Sequence, residues 1–110
     1  MSVQRRSDCP IACALDLLGD RWTLLLIRDM ALGKSRFDEF LDSPEGISSN
    51  VLSDRLKKLV QMDLATKSPY SSHSRRMTYQ LTAKGESLRP ILKAIGRWGL
   101  RHIPNTVAEQ

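Results

Sequence analysis

The sequence predicts a mainly helical domain closed by one small β-hairpin. Three observations carry that prediction. Apolar residues recur every three or four positions in successive runs from Ile11 to Val60, separated by Gly19, Gly33 and the turn Ser43-Pro44-Glu45-Gly46. Strict alternation then takes over, with Met77, Tyr79 and Leu81 interleaved with Arg76, Thr78 and Gln80. Helical spacing returns after Thr82.

The first helix is placed at Cys9 to Leu18, because Pro10 suits an initial position and Gly19 suits the residue past the end. Its stripe of Ile11, Ala14, Leu15 and Leu18 is expected to face a core. Asp20 can cap a second helix from Arg21 to about Ala31, with Trp22, Leu25, Leu26 and Met30 turned inward and Gly33 as terminator. Ser35 with Asp38 resembles a capping box for a short third helix, in which Phe37, Phe40 and Leu41 are the buried side and which stops near Asp42. After the Pro-Gly turn, Ser48 is a good N-cap for a fourth helix. Leu52, Leu56, Leu59 and Val60 fall within about 100° of its circumference, while Asn50, Asp54, Lys57 and Lys58 face away. Leu64 to Pro69 is the partner strand of the alternating run, and the polar Tyr70–Arg75 link makes a protruding basic loop. Thr82 caps a long last helix carrying Leu88, Ile91, Leu92, Ile95, Trp98 and Ile103, expected to kink at Pro90. Residues 1–8 form an arm, 9–103 the folded domain, and 104–110 a frayed tail.

A chain of 110 residues is one domain, and at 41% hydrophobic and 26% charged it is neither disordered nor fibrous. Its net charge of +5 favours an anionic partner. That charge is local: Ser48 to Tyr79 holds six basic residues against two acidic, whereas Phe37 to Gly46 holds Asp38, Glu39, Asp42 and Glu45 and no base. Cys9 and Cys13 are too few and too close to staple a secreted fold, and no apolar run has signal-peptide or membrane-span length, so a cytoplasmic chain with reduced thiols is expected and no membrane partner. His73 and His102 stand apart from any zinc-type spacing, so neither metal nor cofactor is expected. No nucleophile, base and orienting group share a credible spacing, which argues against an enzyme.

Short helix, tight turn, polar-faced helix and basic hairpin, in that order, are the parts of a winged helix-turn-helix. The major groove of DNA admits one helix, which must bury one side and present small hydrogen-bonding residues near its start. Ser49, Asn50 and Ser53 meet that demand, with Ser48 at the helix N-terminus. Arg55, Lys57 and Lys58 lie further along, where long cationic chains reach phosphates. Ser72, His73, Ser74, Arg75 and Arg76 would follow an adjacent groove, and the start of the preceding helix at Ser35 and Arg36 is a second phosphate contact. Against this stands the plainer reading that a charged helix face is merely solvated, and a module of this shape could instead bind a protein. A last helix of this length has few elements left to cover Leu92, Ile95 and Trp98, so a second copy of the chain is the economical cover. Cys9, beside Arg5 and Arg6 at a helix start, is a candidate redox switch; its alternatives are a small buried side chain or a simple cap.

Cys9-Pro10-Ile11 with Ala14-Leu15, Gly19-Asp20-Arg21-Trp22-Thr23, Arg36-Phe37 with Glu39-Phe40, Ile47-Ser48 with Val51-Leu52-Ser53, and Arg55-Leu56-Lys57 occur in series. Tyr79-Gln80-Leu81-Thr82, Gly85, Leu88 and Trp98-Gly99 continue the pattern. In this order and spacing, from Cys9 to about Gly99, the chain resembles the HxlR-type winged-helix transcriptional regulators of bacteria. The resemblance implies sequence-specific binding of palindromic operator DNA by a homodimer whose first and last helices pack across the two-fold axis. Ile11, Leu92, Ile95 and Trp98 are the residues placed there. It also implies a recognition helix at about Ser48 to Gln61, and some relatives sense oxidants or electrophiles through a cysteine at the place of Cys9. Asp63 departs from the pattern, since members usually have Gly after the recognition helix; Asp tolerates the left-handed conformation less well. The sequence specifies no operator, no target genes and no small effector.

Overall fold

The computed structural model of the chain describes residues 5–72 and 75–108. The elements run α1 (Pro10–Leu18), α2 (Thr23–Ala31), α3 (Phe37–Leu41), α4 (Ser49–Gln61), β1 (Ala65–Pro69), β2 (Met77–Leu81), α5 (Ala83–Glu86) and α6 (Arg89–His102). Leu26 and Ile27 of α2, Phe40 of α3, and Leu52, Leu56 and Leu59 of α4 form the centre of the core, all but fully buried. This is the mainly helical, hairpin-bearing architecture that the periodicities predict.

Asp20 caps the second helix through its carboxylate, which accepts from the backbone N–H of Trp22 and of Thr23 at 3.0 Å each. Regular helix begins at Thr23 rather than Arg21, because Arg21 and Trp22 form a turn between Asp20 and the first helical residue. Gly33 ends the segment at φ +105, a conformation that a side chain would strain. At α3 the acidic partner is Glu39, not Asp38. Its carboxylate accepts from Ser35 N–H at 3.0 Å and Arg36 N–H at 2.9 Å, because the helix starts one residue later than the Ser35 box would require.

The expected inward stripe of the first helix is a correction. Ile11, Ala14 and Leu15 face outward, α1 buries none of its residues, and only Leu18 of that stripe packs against the core. The last helix is also two pieces rather than one kinked rod. Pro90 has no N–H to give the Glu86 carbonyl, so α5 closes at Glu86 and α6 restarts with Pro90 in its first turn. Past Ile103 the chain turns at Asn105 (φ +66), and the Thr106 hydroxyl donates to the carbonyls of Ile103 at 2.9 Å and Gly99 at 3.3 Å.

The end of α4 and the start of the hairpin are joined by a Schellman turn. Asp63 takes φ +60, its N–H donates to Val60 O at 3.1 Å, and Leu64 N–H donates to Leu59 O at 2.9 Å. β1 pairs antiparallel with β2 in the register Ala65↔Leu81 to Pro69↔Met77. A hydrogen bond from Tyr70 N–H to Arg76 O at 2.8 Å continues the ladder, and Tyr79 N–H reaches across to Ser35 O at 2.8 Å, tying the hairpin to the entry of α3. At the hairpin's base Gly85 lies so close to Leu64 that a Cβ would sit 2.2 Å from its carbonyl oxygen, which leaves room for glycine alone.

Candidate nucleic-acid interface

The thirteen residues of α4 form the centre of the site. Ser48 caps it as expected, its hydroxyl accepting from Val51 N–H at 3.3 Å. Ser49, Asn50, Ser53, Lys57 and Lys58 are all exposed, with Asn50, Lys57 and Lys58 turned away from Leu52, Leu56 and Leu59 and Ser49 and Ser53 in the exposed first turns at the flank. Ser48 is exposed beside them.

Arg55 has a different setting. Its side chain is 22% exposed, and its Nε donates to Asp20 Oδ2 at 3.0 Å while Nη1 donates to Asp54 Oδ2 at 2.5 Å. Burial alone would raise the Asp20 pKa. The hydrogen bonds from Thr23, Trp22 and Arg55 outweigh it and hold the carboxyl below its ordinary value.

The turn that carries the chain from α3 into α4 is held from beneath by residues that the sequence pattern does not single out. Asp29 is 3% exposed and accepts from the Ser43 hydroxyl at 2.5 Å. Arg28 donates to the same Asp29 and, through both terminal nitrogens, to the Glu45 carboxylate at 3.0 and 2.8 Å. Lys34 Nζ donates to the Ser43 hydroxyl at 2.8 Å. The bond from Arg28 holds the Glu45 carboxyl below its ordinary value, and Arg28 is raised in turn. Together with Ile47, which is buried, and Gly46 at φ +74, this network fixes the direction in which α4 leaves the turn. An adjacent Arg-Asp pair on the otherwise apolar second helix was the one available signal.

Beside α4 stands the hairpin. Ser72, Arg75 and Arg76 are exposed; His73 and Ser74 lie outside the described residues. A cleft of about 390 Å³ opens between the hairpin and the start of α3, lined by Arg36, Phe37, Asp38, Arg75, Arg76, Met77 and Tyr79. Arg36 lies over the Tyr70 ring at 5.8 Å and 3.6 Å from Glu39. Ser35 is half-buried, and because Glu39 already accepts the N–H groups of Ser35 and Arg36, this helix start offers a phosphate the Arg36 guanidinium rather than those two backbone donors.

Cys9 is exposed at the N-cap of α1, its N–H donating to the Ser7 hydroxyl at 3.2 Å. Cys13 Sγ contacts the Ser7 carbonyl at 3.4 Å. Arg6 pairs with Asp16. Ile11, Ile95 and Trp98 are 71%, 52% and 60% exposed, whereas Leu92 is half-buried against the chain's own core. Among the described residues no cluster of His, Cys, Asp or Glu could hold a metal ion, and no helix is long and apolar enough to cross a membrane.

A helix-turn-helix with its second helix presented to solvent, followed by a hairpin at its flank, defines a winged helix-turn-helix. Residues 17–107 match the HxlR-like helix-turn-helix family, and the chain belongs to it. The regulator MT3179 of Mycobacterium tuberculosis, of the helix-turn-helix transcriptional type, is 40% identical over 91 residues, covering 83% of this chain and 57% of its own length. The chain thus spans little more than half of that relative. The transcriptional regulator YvaP of Bacillus subtilis is 36% identical over 95 residues, covering 82% of this chain and 83% of its own. Among solved structures, PA1607, a candidate transcription factor, superposes with a TM-score of 0.84 at 36% identity, covering 96% of this chain and 74% of its own. The reduced form of the redox regulator HypR superposes at 0.79 with 28% identity, covering 87% and 95%.

Proposed function

We propose that this chain is a sequence-specific, DNA-binding regulator of transcription that acts in the cytoplasm as a homodimer on a palindromic operator. One observation carries the reading. Small polar side chains, Ser49, Asn50 and Ser53, stand exposed at the start of a helix whose opposite side is locked into the core, with Lys57 and Lys58 following on the exposed side. The first group suits base edges and the second suits phosphates. Arg36, Arg75 and Arg76 around the hairpin cleft would extend the contact to the neighbouring backbone.

Two-fold pairing is supported by the outward apolar side chains Ile11, Ile95 and Trp98, while Leu92 packs partly against the chain's own core. Such a pair would set two recognition helices about 34 Å apart, one turn of the duplex. The exposed thiol of Cys9 is the group through which an oxidant or electrophile would act, a reading supported by the likeness to HypR.

Selection of bound duplexes from a random pool tests the reading. A palindromic consensus is expected, with affinity falling steeply with salt at a slope of about −0.9 per phosphate contacted. Arg75→Ala with Arg76→Ala should weaken all duplexes alike, and Asn50→Ala should relax specificity more than it lowers non-specific affinity. Binding to a protein that is insensitive to salt, with no duplex bound, would overturn it. For Cys9, oxidant should change DNA affinity in the native chain and not in Cys9→Ser; equal responses would remove the thiol from the mechanism.

A further inference from the structure

Arg55 sits on the reading helix, yet its neighbours make it a poor phosphate ligand. Its guanidinium bridges Asp20, in the turn between α1 and α2, and Asp54, on the outer side of α4. Asp54 in turn lies 3.6 Å from Lys58 Nζ. At the other end Asp20 accepts from the Trp22 and Thr23 backbone N–H groups and from the hydroxyl of Thr23, a buried residue. A series of charge-assisted bonds therefore runs from the start of α2, through Arg55, to Asp54 on the exposed side of α4, and a looser ion pair joins Asp54 to Lys58. Arg55 is already held by two carboxylates, so it is less available to a phosphate than the exposed Lys57 and Lys58.

Packing of Leu52, Leu56 and Leu59 seats α4 against the core and sets its rotation coarsely, since turning the helix would expose them. A planar guanidinium held by two carboxylates adds a directional restraint on the side of the helix that bears Asp54 and Lys58. We propose that Arg55 is a positioning residue: clamped by Asp20, it refines the rotation of α4 and sets the aim of Asp54 and Lys58, and so governs discrimination between DNA sequences rather than affinity for phosphate. The proposal rests on the DNA-binding reading above.

The test compares binding of the native chain, Arg55→Gln, Arg55→Lys, Asp20→Asn and the double variant Asp20→Asn with Arg55→Gln. Each is titrated with its selected duplex and with a random duplex over a range of salt. The expected result is a loss of about tenfold in the ratio of selected to random affinity for every single variant. Random-duplex affinity should stay within about twofold and the salt slope should be unchanged. The double variant should be no worse than Arg55→Gln alone, since both changes cut one series of bonds. Urea midpoints taken in parallel restrict the comparison to folded protein. Arg55→Lys is decisive, because it keeps the charge: a phosphate contact would survive it, whereas a clamp requires the planar fork. Equal losses on both duplexes, a salt slope shallower by about 0.9 in Arg55→Gln, or additive effects would overturn the proposal. If the native chain prefers no duplex, both readings fall. If it does and Asp20→Asn keeps that preference, only the role of Arg55 falls.

Discussion

The helices α4 and α6 have the same kind of amphipathic spacing and opposite fates. Leu52, Leu56 and Leu59 of α4 are at most 1% exposed, covered by α2, α3 and the hairpin, whereas Ile95 and Trp98 of α6 remain 52% and 60% exposed. α4 is also fixed at both ends, by the Arg28–Glu45 and Asp29–Ser43 bonds below its entry and by the Schellman turn at Asp63. α1 resembles α6, with Ile11 and Leu15 bare. The comparison separates a helix held rigidly within one chain, as a reading element must be, from two helices whose apolar sides await cover.

Substitutions can break this contrast, the largest effect coming from the covered side. Leu56→Ala should cost about 2–5 kcal/mol in urea unfolding, for lost burial plus the cavity left behind. Trp98→Ala should cost far less in a dilute, monomeric sample. An equal cost there would show that α6 is as well packed as α4.

Ile95→Glu places a charge on the bare side. It should weaken self-association by about 2 kcal/mol, read by sedimentation, while leaving the folded monomer's spectrum intact. Unchanged association would remove α6 from the dimer contact.

The two anchors of α4 give smaller and opposite effects. Asp63→Gly should stabilise by about 0.5–1 kcal/mol in urea unfolding, because glycine adopts positive φ without a steric penalty. Glu45→Gln should destabilise by at most about 1 kcal/mol, since the pair is partly exposed. The Glu45 carboxyl is lowered in the folded chain, so its contribution is fully present above the ordinary carboxylate range near about 4.3 and is lost as pH falls through the lowered native value. The stability gap between native chain and variant should therefore close in acid. A gap that persisted below about pH 3 would assign the effect to packing.

Much of the reading helix is legible without coordinates. Its cap at Ser48, its inward leucines and its exposed Asn50 and Lys57 follow from periodicity and from hydrogen bonds that reach three or four residues. The hairpin's alternation is legible for the same reason. The partner of Arg55 is not, because Asp20 lies 35 residues away, and neither is that of Arg28, with Glu45 17 residues on. A cationic side chain on a helix reads as unpaired until its carboxylate is seen.

By itself, then, the sequence determined the kind of each element, the caps of α2 and α4, and the residues that share a side of each helix, since local backbone sterics and short-range bonds decide these. Only the tertiary structure decided that Arg55 meets Asp20, that Arg28 meets Glu45, and that the stripe of α1 turns outward. Those outcomes depend on which distant groups meet and on how much apolar surface one small chain can cover, and neither is encoded in the spacing of residues along it.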